Sequence, residues 1–265
     1  MPPTLSLLLS LTLSTPVLWY NLSMRSLRRI IIFITPLLVL GFIISTLYKW
    51  NYIPHQQRLP GEFGIPELGP NIDINGNHIN DAKDIFQGAV DYVALKPTWE
   101  PLKEYSGGWP AGNHGSNGDV VAYALKNAGI DLQVLINQDI EKNPDVYSDS
   151  VPQGKDISFR VVENQRTYFS RYAEAHDNDY NNTKDWQMGD IVFFEKNHAA
   201  VVADKVNGNG VRFIIHLFWE HQAGYFQDVL ETNAWGKVVG HYRVSQTMLN
   251  PKTDSKKTAK YVVNY

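Results

Sequence analysis

The chain contains no cysteine. That absence excludes disulfides, thiolate metal sites and thiol catalysis, each of which needs a sulfur atom. It also lacks a run of basic residues. Residues 1–50 carry four Lys/Arg and no Asp/Glu, which leaves 20 Lys/Arg against 27 Asp/Glu in the rest, a net charge of -7. An acidic domain without a basic patch argues against nucleic acid, because that binding depends on cations neutralising phosphates. Charge is missing altogether between Ile30 and Tyr48, IIIFITPLLVLGFIISTLY. At 1.5 Å rise per residue this run spans about 28 Å, close to the thickness of a bilayer's hydrocarbon core.

Arg25, Arg28 and Arg29 precede the apolar run, and only Lys49 follows it closely. The positive-inside rule then predicts residues 1–29 as a cytoplasmic segment, 30–48 as a single transmembrane anchor, and everything beyond as extracytoplasmic. The expected location is therefore the cell membrane. A cleaved signal peptide is the alternative, but no A-x-A-like site follows the run and it exceeds a usual signal core. Residues 1–23 hold a second, shorter apolar stretch. Met24 followed by R-S-L-R-R would itself make a conventional signal-anchor start, so residues 1–23 read as an over-long start or a marginal second span.

Residues 49–71 read as a linker; positions 51–71 hold four Pro and three Gly. In D-I-N-G-N-H-I-N-D-A-K-D, residues Asp73, Asn75, Asn77, Asp81 and Asp84 fall at positions 1, 3, 5, 9 and 12. That is the oxygen-ligand spacing of a calcium loop, although Gly is at position 4 and Asp ends it. An Asn/Gly turn leading into a helix fits the same residues. No other cofactor is expected. Helices are predicted over 82–94, 119–128, 132–141 and 159–173. Strands are predicted over 188–195, 198–206 and 211–219, with Asn207–Gly210 as a hairpin turn, and a last one around 237–244. Helices first and an antiparallel sheet afterwards make an α+β class.

Three features stand in order: a Gly-rich loop entering a helix at G-S-N-G-D-V-V (115–121), W-Q-M-G-D-I-V (186–192) before a strand that begins at His198, and a following strand with His216. Further landmarks are D-x-N-G at Asp73, N-A-G-I-D-L-Q (127–133), D-I-x-x-N-P (139–144), D-I-S-F-R-V-V-E-N (156–164), I-I-H (214–216) and G-H-Y-R (240–243). With these landmarks the chain resembles the bacterial family called domain of unknown function 1287, a relative of NlpC-type, papain-like cell-wall amidases. The resemblance covers roughly Tyr52 to Arg243. It implies a papain-like domain over 72–247, followed by a tail over 248–265.

The resemblance also implies a nucleophile at the helix start, a strand histidine and a third polar group. A helix N-terminus lowers a thiol's pKa and the histidine takes its proton. Here those positions fall on Asn117, His198 and His216. Members of the family typically carry cysteine where this chain has Asn117, and an amide cannot form a thioester. Asp119, Trp109 and Arg160 are candidates for ligand contact; the plainer readings are a helix N-cap or turn residue for Asn117, a first-turn acid stabilising the helix dipole for Asp119 and an internal salt bridge for Arg160. His114, His221 and His241 have less support, and Arg243, like Arg160, could bind a carboxylate or make an internal salt bridge. The expectation is a catalytically inactive relative that binds peptidoglycan peptide or an envelope protein. Two alternatives stay open: an active hydrolase with another nucleophile, such as Ser116, and a purely structural envelope protein. A groove lined by Trp109, Trp219 and Tyr225 would favour ligand binding over the last.

Overall fold

The computed structural model describes residues 24–49, 53, 56–66, 72–110, 114–148, 154–218, 222–231 and 235–249, in two compact units divided after Trp50. The first unit is one helix, α1 (Met24–Lys49), with Pro36 inside it. Within its segment Arg28–Tyr48 an 18-residue window has a mean hydropathy of 2.7 and buries nothing. It is long enough and apolar enough to cross a bilayer, a test of length and composition that an N-terminal signal sequence also passes.

The second unit is a mixed α+β domain. Its helices are α2 (Asp81–Ala94), α3 (Asn117–Asn127), α4 (Leu132–Lys142), α5 (Val162–Tyr172) and the one-turn α6 (Gln246–Leu249). A two-residue parallel pair, β1 (Thr98–Trp99) and β2 (His114–Gly115), leads into α3. Six strands form the main sheet: β3 (Glu174–Ala175), β4 (Ile191–Phe194), β5 (His198–Val206), β6 (Arg212–Phe218), β7 (Gln222–Val229) and β8 (Val238–Arg243). Their order is β3-β8-β4-β5-β6-β7, with every neighbouring pair antiparallel.

The core lies between α3 and the sheet. Val120, Val121, Ala124 and Leu125 of α3 are fully buried, and so are Ala199 to Ala203 along β5. Their neighbours include Ile191, Val192 and Phe193 of β4. β4 and β5 are buried on both faces, hence their continuous apolar runs rather than alternation. The turn between β5 and β6 is closed by Asn207, whose Oδ1 accepts from the Asn209 and Val211 amides at 2.9 and 3.1 Å.

Two boundaries differ from the sequence expectation. The segment read as linker ends early: Arg58 exchanges backbone hydrogen bonds with Val206 (2.8 and 3.1 Å), a 3₁₀ turn follows at Pro60–Phe63, and Ile65 is buried. Composition rich in Pro and Gly fits a 3₁₀ turn as well as an extended tether. At the other end, Met248 is fully buried and its carbonyl accepts from the Tyr168 hydroxyl at 2.8 Å, so the packed domain reaches beyond residue 247.

Candidate functional site

The site assembles at the N-terminus of α3. Two glycines let the chain pass there. A Cβ on Gly115 would stand 1.7 Å from the Tyr92 hydroxyl, and one on Gly118 would stand 2.0 Å from the Arg160 carbonyl oxygen. Asp119 caps the helix: its Oδ2 accepts from the Ser116 amide at 2.7 Å and the Ser116 hydroxyl at 2.9 Å. The Arg160 guanidinium closes on the same carboxylate through two bonds, Nε to Oδ1 at 2.5 Å and Nη2 to Oδ2 at 2.9 Å, with both side chains buried. Its Nη1 donates to the Lys103 carbonyl, and its plane lies over Tyr105 at 4.9 Å. Asp119 and Arg160 thus hold each other and fix the loop that presents Asn117.

Asn117, the first residue of α3, meets β5 and β6, whose histidines lie 81 and 99 positions further along the chain. Its Oδ1 accepts from the Gly118 amide at 3.0 Å. Its Nδ2 donates to the Asn197 carbonyl at 3.2 Å and to His198 Nδ1 at 2.9 Å. The amide has one consistent orientation, since a flip would set oxygen against the Asn197 oxygen. His198 Nδ1 is therefore an acceptor, its proton sits on Nε2, and that nitrogen donates to His216 Nδ1 at 3.0 Å. Trp235 stacks on the His198 ring, 4.1 Å between centroids and 11° apart, and meets His216 edge-on at 5.5 Å.

The three polar side chains are nearly closed off: Asn117 is 7% exposed, His198 4% and His216 2%. Burial, and secondarily the neighbouring His216, holds the His198 pKa well below its ordinary value. A neutral ring is also what the hydrogen bonds require. Amide, imidazole and imidazole form a relay that contains no carboxyl, hydroxyl or thiol group. The Ser116 hydroxyl is engaged by Asp119.

Of the residues singled out by sequence, Asn117, His198 and His216 come together. Asp119 and Arg160 lie behind them as a buried pair. Trp109 is not in the relay; it packs on Tyr123 and Phe159 (centroids 5.0 and 4.9 Å), with Lys126 Nζ over its ring at 3.8 Å. Trp219 and His221 lie outside the described residues, as does the side chain of Tyr225. The aromatic residue that covers the relay is Trp235, which the sequence reading did not single out.

The Asp73–Asp84 segment closes on itself. Asp73 accepts from the Asn77 and His78 amides, and Asn75 and Asn77 both turn their NH₂ groups to Asp84 Oδ2, at 3.0 and 2.9 Å. Asp81 Oδ1 accepts from the Ile74 amide at 2.9 Å. Among the described residues no three His, Asp or Glu are placed to hold a metal ion. A calcium cage needs oxygens pointing inward; here amide donors point at the acid.

A second histidine centre stands on β8. His241 donates from Nδ1 to the Asp177 carbonyl at 2.7 Å and from Nε2 to Asp190 Oδ2 at 2.8 Å. Arg243 grips the same carboxylate through Nε and Nη2, both at 2.8 Å. Trp186 stacks on His241 at 3.6 Å and 4°. Asp190 and Trp186 come from the W-Q-M-G-D segment, and His241 and Arg243 from G-H-Y-R, so two separated landmarks are one cluster in space.

Residues 80–244 match the family described as Domain of unknown function (DUF1287). A protein of Escherichia coli (strain K12) described as "Uncharacterized protein YijF" is 33% identical over 170 residues, which are 60% of this chain and 80% of that protein. No solved structure matches the chain. The family match spans the α3 start, the relay and the β8 cluster, and on that match the chain belongs to the DUF1287 family.

Proposed function

We propose that the domain is a non-catalytic relative of papain-like cell-wall amidases, held outside the cytoplasm by α1, and that it binds peptidoglycan peptide or an envelope partner beside the relay. One observation supports this reading: Asn117, at the start of α3, donates to a histidine that a second histidine orients, and in the proposed relationship that helix-start position would hold the nucleophile. A nucleophile at that helix N-terminus, a ring accepting at Nδ1 and a group holding Nε2 are the arrangement thiol hydrolysis requires. Asn117 supports the geometry and lacks the sulfur. Trp235 over His198 favours a second reading, in which the groove is filled and the domain is structural.

Asn117→Cys in the full-length chain, purified in detergent, is the test. The new thiol should alkylate with iodoacetamide at pH 6 at least tenfold faster than a cysteine placed at exposed Lys184, because imidazole and helix N-terminus favour thiolate. Release of peptide from purified peptidoglycan by this variant alone would identify the groove's ligand. Hydrolysis by the wild-type chain would overturn the non-catalytic reading. If the thiol is unreactive and peptidoglycan fragments do not bind the wild type, the structural reading stands. The Lys184→Cys chain also tests the anchor: in intact cells a membrane-impermeant maleimide should label it, and labelling only after lysis would put the domain on the other side.

A further inference from the structure

Apart from the relay, and sharing no residue with it, a cavity of about 230 Å³ opens between the start of α2 and the end of β8. Its apolar part comes from Ile72, Ile85 and Val244, and its polar part from Asp81, Gln187, Glu174, Asp190 and Arg243. Two of these carry buried acceptors without a hydrogen-bond partner: Asp81 Oδ2 and Gln187 Oε1. Asp81 is only 3% exposed. Burial, opposed by the Ile74 amide and reinforced by Asp73 and Asp84, raises its pKa above the usual carboxylate value, as expected of an acid with one oxygen unserved. On the donor side, Arg243 uses Nε and Nη2 for Asp190 and the Asp185 carbonyl, while Nη1 has no partner among the described residues.

We infer that this cavity binds a small amphoteric ligand, its ammonium held by Asp81 and Gln187 and its carboxylate by Arg243, with a short apolar group between them. Orphaned buried acceptors are costly unless something donates to them, and an ammonium offers three donors with a compensating charge. A divalent cation is a poor alternative, because the guanidinium stands in the same wall and the acids number too few around one point. A purely anionic ligand would meet Asp81, Asp190 and Glu174. The volume lies below the range of about 300–1,000 Å³ for drug-sized ligands, which limits the occupant to the scale of one amino acid or a dipeptide.

Calorimetric titration of the full-length chain in detergent tests this. L-leucine should bind saturably. N-acetyl-L-leucine and L-leucinamide, each lacking one charge, should bind at least tenfold more weakly. Asp81→Asn keeps the acceptor for the Ile74 amide and removes the charge; it should weaken leucine binding at least tenfold, as should Gln187→Ala at a half-buried position. Glycyl-L-leucine and L-leucylglycine separate the two sources, since each keeps both charges: equal or tighter binding of either would make the ligand a free dipeptide, and weaker binding a free amino acid. The inference fails if neither leucine nor the dipeptides bind saturably, if the blocked forms bind equally well, or if both variants titrate like the wild type. None of these outcomes depends on Asn117, so this inference and the proposal for the relay stand or fall separately.

Discussion

Among the described residues, two buried histidine centres stand on one sheet, each with a tryptophan stacked on its ring, and they are built on opposite electrostatic terms. His198 on β5 faces a donor, Asn117 Nδ2, and passes a proton-bearing Nε2 to another imidazole. His241 on β8 faces two acceptors, a carbonyl and the Asp190 carboxylate, so it donates twice, and a ring that donates twice is charged. Burial is similar, with His198 4% exposed and His241 1%. Partners, not burial, separate them. The neutral centre joins α3 to β5 and β6, and the charged one acts as a lock, since Asp190 ties β8 to the turn before β4 through Arg243, His241 and the Gln187 amide.

The largest expected effect breaks the lock. Asp190→Ala leaves Arg243 and a doubly donating His241 without their carboxylate, and stranding buried charge costs about 3–5 kcal/mol. Asn117→Ala strands only the Gly118 amide and two neutral acceptors, and should cost about 1–2 kcal/mol. Thermal melts of both variants in the same detergent check the ranking. Equal losses would mean that the relay bears as much of the fold as the charged cluster.

This contrast was only partly legible in the sequence. The β5 span from His198 to Val206 follows from its apolar run and from the N-G-N-G turn after it, and α2 to α5 follow from periodicity and caps. The parallel pair β1–β2 has two residues per strand and carries no periodic signal. Strand β7 is not legible because Q-A-G-Y-F-Q-D-V mixes Gly and polar residues through what would be an alternating pattern. Asn117, His198 and His216 were found through order along the chain, not spacing, since strand pairing across a hairpin decides which side chains meet. Trp235 lies in the short segment between β7 and β8, where nothing local marks an aromatic side chain as a cover. His241 and Arg243 were noticed individually, but a carboxylate 51 and 53 residues away cannot be assigned to them from composition.

A smaller perturbation inverts one centre without touching the other. His198 is held below its ordinary pKa in the folded chain, so the unfolded chain binds the extra proton first. The stability it contributes is full above the unfolded value of about 6.5 and is lost as pH falls below it. Asn117→Asp places a carboxylate where Nδ2 stands and makes His198 a donor. Its folded pKa then rises above the unfolded value, and the contribution is full below about 6.5 and lost as pH climbs through the raised folded value. Melting temperature against pH from 5 to 9 should therefore change the sign of its slope near neutrality. Nitrogen-15 shifts of His198 at pH 7 should move from neutral imidazole to imidazolium. An unchanged slope would mean that the relay's charge state is not set by Asn117.

The smallest effect concerns the two tryptophans. A cation over an indole face gains about 0.5–1 kcal/mol at exposed sites and about 2 when desolvated. A neutral ring stacked on indole gains about 0.5–1.5 kcal/mol from geometry and dispersion. Trp186 also donates from Nε1 to the Asp179 carbonyl at 3.0 Å, so single substitutions would mix that bond with the stacking. Double-mutant cycles remove the shared loss. The pair Trp186→Leu with His241→Gln should show a coupling larger, by about 1 kcal/mol, than the pair Trp235→Leu with His198→Gln. Equal couplings would mean that His241 carries no more charge than His198, and the two centres would then differ in hydrogen-bond direction alone. A larger coupling at Trp186 would mean that the tryptophan is part of the lock, holding the cation that Asp190 and the Asp177 carbonyl require.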